Sequence, residues 1–165
     1  MLALLYEDMS TVQSLQIESM SLEETEQIAE QLGARLRGRE VIELVSDLGG
    51  GKTAFVRGLA RGAGSTDKVS SPTFTISNLY QTGDLIMHHF DFYRLHEAGI
   101  MSEELEELLH DPQAVVVIEW AGIIENILPP DRLTIRIKAT GENSRLLTFE
   151  IPTALAYLTP TPDTK

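Results

Sequence analysis

The densest chemistry in the chain lies between residues 46 and 53, in Ser46-Asp47-Leu48-Gly49-Gly50-Gly51-Lys52-Thr53. Glycines here let the backbone take positive φ and keep side chains away from any group the main chain approaches. Successive amides then converge as an anion nest at a helix start, where the helix carries partial positive charge. Lys52 adds a full charge for a terminal phosphate, and the Thr53 hydroxyl is a ligand type that magnesium accepts. This is the P-loop pattern of Gly, four residues, then Gly-Lys-Ser/Thr, with Ser46 standing at the first glycine. Serine is small but lacks glycine's freedom, which puts the entry to the turn in question. The bland alternative is a glycine-rich turn with an incidental lysine. The Lys-Thr pair and the strand and helix on either side weigh against it. The ligand implied is ATP or a close relative, with magnesium.

Phosphate binding alone is not hydrolysis, which also needs acidic groups around a metal. The run Val115-Val116-Val117-Ile118-Glu119-Trp120 reads as a buried strand that delivers Glu119 to its rim. There Glu119 either holds magnesium through water, orients an attacking water, or is merely solvated. In His88-His89-Phe90-Asp91-Phe92-Tyr93-Arg94, period-two alternation puts His89, Asp91 and Tyr93 on one face. Phe90 and Phe92 take the other face, read here as the core side. Asp91 is thus a second carboxylate for the metal or its water. Adjacent strand histidines point apart, which argues against zinc. Arg94 either pairs with Asp91 or Glu119 or is a surface cation. In Ser70-Ser71-Pro72-Thr73-Phe74-Thr75, Thr73 is the candidate hydroxyl for sensing a γ-phosphate. The competing reading is a proline-initiated strand with exposed hydroxyls. Trp120 is the only tryptophan, with core, partner-contact and nucleotide-contact roles all open.

The elements that must position these groups are legible in outline. Residues 15–18 alternate like a short strand. Ser21-Leu22-Glu23-Glu24 matches a capping box opening a helix whose apolar face is Ile28, Leu32 and Leu36, with Gly38 as its stop. Residues 40–45 are a β-rich run leading directly into the glycine turn, and 52–63 read as the helix after it. Strands are expected at 74–80 and 85–93, joined by a turn at 81–84. A short acidic helix spans 102–109 with Ser102 as N-cap. A buried strand covers 114–120, and 133–138 with 146–151 form a closing hairpin. The fold expected is α/β: a P-loop NTPase-like three-layer domain with a mixed central sheet, spanning 1–158, with a flexible tail at 159–165.

Length and composition bound the function. The 165 residues suit one domain with one core. No cysteine is present, so disulfides and thiolate metal sites are excluded. Thirteen basic residues face 25 acidic ones, a net charge of −12. Stand-alone nucleic-acid binding relies on phosphate neutralisation by clustered Lys and Arg, which this chain lacks. A protein partner fits better. No apolar run approaches the ~20 residues that span a bilayer. The apolar start, Met1-Leu2-Ala3-Leu4-Leu5-Tyr6, has no basic residue before it and acids after it, which is wrong for a secretory signal. The cytoplasm is the expected compartment.

Together these residues resemble the TsaE (YjeE) family of bacterial ATPases. The matching pieces are Asp47-Leu48-Gly49 with Gly51-Lys52-Thr53, Ser71-Pro72-Thr73-Phe74-Thr75, His89-Phe90-Asp91-Phe92-Tyr93-Arg94-Leu95 and Ile118-Glu119-Trp120. The likeness runs from about Ser21 to Ile151. The P-loop is shared by many families; the two later elements make the match specific. The resemblance implies a small ATPase serving synthesis of threonylcarbamoyladenosine in tRNA. It would act with the partner proteins TsaD and TsaB, reset their complex between turnovers, and meet tRNA only indirectly. Carried over by position, Asp47, Leu48, Gly49, Gly50, Gly51, Lys52, Thr53 and Ala54 would hold the nucleotide. Thr53 and Glu119 would hold Mg2+ with help from Asp91, and Thr73 would sit in a switch-like loop beside the metal. Thr25 and Arg145 match positions near the nucleotide. Ser46 and Ala54 depart from the family's usual Gly and Thr.

Three other functions compete. A small-molecule kinase would need an Arg-rich lid, whereas residues 95–109 are acidic. A GTPase would need an Asn-Lys-x-Asp motif, which the sequence lacks. A nucleotide-gated binding module with little hydrolysis would share the same loop.

Overall fold

A computed structural model describes residues 11–161. The apolar stretch 1–6 and the tail from 162 onward lie outside the described residues. A seven-stranded mixed sheet runs through the molecule in the order β1-β7-β6-β2-β5-β4-β3. Its elements are β1 (Val12–Ser19), α1 (Leu22–Gly33), β2 (Val41–Val45), α2 (Lys52–Gly62), β3 (Ser77–Thr82), β4 (Leu85–Asp91), α3 (Ile100–Leu108), β5 (Ala114–Glu119), β6 (Leu133–Ala139) and β7 (Arg145–Pro152). Strands β4, β5, β2 and β6 are mutually parallel, while β1, β3 and β7 pair antiparallel at the two flanks.

Two cores lie on opposite faces of this sheet. One packs α1 and α2 on it through Ile28, Leu32, Phe55, Val56 and Leu59, against Ile42, Leu44, Met87, Val115, Val117, Ile135 and Phe149. The other packs Leu105 of α3 and Ile124 and Leu128 of the following turns against Val41, Phe90, Phe92, Val116 and Ile118. The three-layer α/β arrangement is therefore as expected. The apolar run of β5, buried at every position, follows from its being parallel and covered on both sides.

The helices α1 and α2 lie very close. A Cβ at Gly58 would sit 2.2 Å from the Glu26 carbonyl oxygen, and one at Gly62 2.0 Å from that of Glu30. Glu26 also takes hydrogen bonds from Arg57 and Arg61. Burial raises its affinity for a proton, but the two guanidiniums outweigh that and hold its carboxyl below the ordinary range. This packing fixes α2, and with it the glycine turn at its start.

Several local expectations change. Helix α1 ends at Gly33, so Leu36 lies beyond it, and Gly38 serves the turn into β2. The Ser21 hydroxyl accepts from the Glu24 amide as expected, but the Glu24 carboxylate takes the amide of Met20. Strand β3 starts at Ser77, because 72–76 form a tight turn in which the amides of Thr75 and Ile76 donate to Pro72. Strand β4 stops at Asp91, leaving Tyr93 outside it. Helix α3 begins after Gly99, and Ser102, inside its first turn, donates back to the Gly99 carbonyl. At the start of the expected tail, the Arg35 guanidinium donates to the Thr159 carbonyl and the Thr161 hydroxyl, holding residues 159–161 in place.

Candidate phosphate and metal site

Parallel strands deliver their last residues to one edge of a sheet, and here three such ends stand side by side. Leu44 is in register with Glu119, and Glu119 with Asp91. β2 therefore leads into the glycine turn beside the strand ends that carry the two carboxylates. A cleft of about 240 Å³ opens between them. It is lined by residues 48–53, Ser71, Thr73, Asp91, Glu119 and Trp120.

The turn has the conformation the glycines predicted. Gly49 has φ +73° and Gly51 φ +107°, the left-handed region where a Cβ is costly. Ser46 does not adopt positive φ, so serine meets no backbone penalty at that position. Its hydroxyl fills the space where a Gly50 Cβ would go, at 1.7 Å, and donates to the Asp47 carbonyl. The amides of Gly51, Lys52 and Thr53 have no hydrogen-bond partner among the described residues. Unmet donors at the start of an 11-residue helix are an anion site in waiting. Lys52 is largely buried, its Nζ resting 3.1 Å from the Asp47 carbonyl and 3.3 Å from that of Ser46, with the Trp120 ring centroid 5.4 Å away.

The carboxylates are each held. Asp91 is 3% exposed; its Oδ2 accepts from the Thr73 hydroxyl at 2.7 Å and its Oδ1 from the Tyr93 amide at 2.9 Å. Thr73, whose bond to Asp91 links the 72–76 turn to the strand end, also shares a 2.7 Å hydrogen bond with Ser71. Glu119 is likewise 3% exposed, and its Oε1 meets His89 Nε2 at 2.8 Å. Among the described residues no donor reaches Glu119 Oε2. The next residue, Trp120, has φ +58° and Ile76 has φ +69°. Such values cost on the order of 1–3 kcal/mol each in side-chain-bearing residues and recur at functional sites.

The donors fit a magnesium–polyphosphate. No cluster of three or more His, Cys, Asp or Glu able to hold a metal exists among the described residues. A metal here would draw on one hydroxyl, one or two carboxylates and the phosphates themselves. Magnesium favours that set, since it keeps waters and needs few protein ligands.

The structure brings Leu48, Gly49, Gly50, Gly51, Lys52, Thr53, Thr73, Asp91 and Glu119 together around one cleft. It does not bring four others to the cleft lining. Asp47 faces it only through the carbonyl that receives Lys52. Ala54 is buried in α2. Thr25 is fully buried, its hydroxyl shared with Ser19 and the Ser21 carbonyl. Arg145 sits behind the loop and donates from Nε to the Gly50 carbonyl. Arg94 pairs with neither carboxylate; its guanidinium lies 4.2 Å from the Phe74 ring centroid. The face of β4 bearing His89 and Asp91 is core as much as the Phe90 face, because the strand is covered on both sides. Sequence reasoning missed the His89–Glu119 contact, although it had put both residues on strands, because the pairing of those strands is visible only in the fold.

The sequence model of the family described as "Threonylcarbamoyl adenosine biosynthesis protein TsaE" matches residues 19–147. The chain belongs to the TsaE family. Among relatives, it is similar to the tRNA threonylcarbamoyladenosine biosynthesis protein TsaE of Bacillus subtilis (strain 168), with 41% identity over 84% of this chain and 86% of that one. It is 33% identical to the TsaE protein of Rickettsia felis over 75% of this chain and 72% of that one. Among solved structures, Bacillus subtilis YdiB superimposes with a TM-score of 0.75 at 38% identity, covering 90% of this chain and 93% of that one. The matched span runs from the end of β1 into β7 and includes every residue lining the cleft. No helix among the described residues is long and apolar enough to cross a membrane.

Proposed function

We propose that this TsaE-family protein is a magnesium-dependent ATPase supporting threonylcarbamoyladenosine modification of tRNA. The observation that carries the reading is the convergence of free amides at residues 51–53, Lys52 and the Thr53 hydroxyl on a cleft whose far wall is Asp91 and Glu119. The amides and Lys52 would bind and orient the polyphosphate. Thr53 and Glu119 would hold the metal, and Asp91, fixed by Thr73 and Tyr93, would assist from the neighbouring strand. Magnesium, when bound, neutralises charge that develops on the phosphate oxygens. Trp120 and Thr73 border the cleft.

The net charge of −12 opposes direct tRNA binding. As the family resemblance implies, we assign its action to the TsaD–TsaB complex, in the cytoplasm, with tRNA met only through those partners. The test is ATP turnover with and without that pair. Turnover that rises in their presence, and falls more than nucleotide affinity does in Glu119→Ala, supports the reading. Turnover at background in their presence replaces it with a nucleotide-gated binding module, and a phosphorylated small-molecule product replaces it with a kinase.

A further inference from the structure

His89 is fully buried, and its Nδ1 is the one buried side-chain polar atom without a hydrogen-bond partner among the described residues. Its neighbourhood is apolar: Met87 is on the same strand face, Val117 is directly opposite on β5, and the Tyr80 ring lies 6.3 Å away. A leucine or methionine would fill such a place without an unmet nitrogen. The ring's single polar contact is Nε2 on Glu119 Oε1, at 2.8 Å. The register explains the reach. His89 is opposite Val117, so Glu119 lies two residues further along the same face, diagonally above the ring. A carboxylate only accepts, which assigns a proton to Nε2 as the donor of this contact.

We infer that His89 is a positioning residue for Glu119: by donating to Oε1 it fixes the carboxylate's rotation and leaves Oε2 to serve the cleft. The inference rests on the phosphate-and-metal reading of the cleft and deepens it. Side chains that orient metal-side carboxylates in this way typically contribute ten- to hundredfold to metal affinity.

The substitutions follow from reach. In His89→Gln an amide NH2 can occupy the Nε2 position, whereas in His89→Asn it stops at the level of Nδ1, short of Glu119. Trp120, the sole tryptophan and a cleft residue, supplies a binding signal independent of turnover. Magnesium is titrated into protein saturated with a non-hydrolysable ATP analogue while Trp120 emission is followed. His89→Asn is expected to raise the half-saturating magnesium concentration about tenfold, with analogue affinity without magnesium within about twofold of wild type. His89→Gln is expected to stay within about threefold of wild type in both. Introduced into Glu119→Ala, His89→Asn should add nothing, because the group it positions is gone.

An unchanged magnesium response in His89→Asn overturns the inference. So does equal impairment in His89→Gln and His89→Asn, or an undiminished effect in the Glu119→Ala background. If His89→Asn fails to fold, His89→Leu takes its place against His89→Gln under the same criteria. A wild-type protein with no magnesium-dependent nucleotide signal fails at the earlier step, refuting the cleft reading and the role of His89 together.

Discussion

Arg145 reaches across 95 positions of sequence to place its Nε 3.0 Å from the carbonyl oxygen of Gly50. In a trans peptide the C=O and the following N–H point in opposite directions. Holding the Gly50 carbonyl toward β7 therefore turns the Gly51 amide the other way. The guanidinium is itself held by the carbonyls of Gly141, Glu142 and Ser144 and is nearly buried, so it is a fixed anchor for the loop. Charge-assisted hydrogen bonds contribute roughly 1.5–3 kcal/mol. Arg145→Met, which keeps the apolar stem, is expected to weaken ATP binding about ten- to hundredfold by calorimetry. Unchanged affinity would mean that the loop holds its shape without this anchor.

The serine in place of the motif's first glycine makes a separate prediction. Because Ser46 has no positive φ, Ser46→Gly should change ATP affinity less than about twofold, within the roughly 0.5 kcal/mol of a benign surface change. Gly50→Ala should be severe, since its Cβ would collide with the Ser46 hydroxyl at 1.7 Å. Combining the two should recover part of the loss, though not all, because the Asp47 carbonyl oxygen remains 3.0 Å from that Cβ. Strict additivity in this double-mutant cycle contradicts the proposed coupling.

Much of the site was legible because its residues are consecutive or fall on strand ends. The glycine turn, Lys52 and Thr53 are local, and Asp91 and Glu119 close buried strands whose composition betrays them. What was not legible depended on partners distant in sequence. That both faces of β4 are buried requires knowing that it lies inside a parallel sheet, so Phe90 and Phe92 looked like the sole core face. The strand expected from Phe74 begins only at Ser77, after a turn that holds Ile76 at φ +69°, a conformation no β-branched residue advertises. Phe74 itself is 82% exposed and engages Arg94, for which the sequence left carboxylate pairing and a surface position equally open. Arg145 was linked to the nucleotide by family position, whereas its contact is with the loop behind.

Acid should loosen the sheet at His88. Burial is the main influence and lowers its proton affinity below the ordinary 6.5, with Asp111 and Glu104 opposing in part. The unfolded chain thus takes up the proton first as pH falls. The stability owed to neutral His88 is complete above the unfolded value and is lost as pH drops through the lowered folded one. Melting temperatures measured from about pH 7.5 down to about 5 should fall more steeply in wild type than in His88→Gln, which has no proton to take up. Parallel curves would show that His88 is not the group responsible.

The central claim is that amides at 51–53 and one lysine hold a polyphosphate, and calorimetric titration of ATP with magnesium into wild type and Lys52→Ala tests it most directly. Among the described residues Lys52 is the only Lys or Arg side chain lining the cleft, so wild type should bind and Lys52→Ala should show no measurable heat of binding. Equal affinity in the two proteins, or no binding by wild type, contradicts the account.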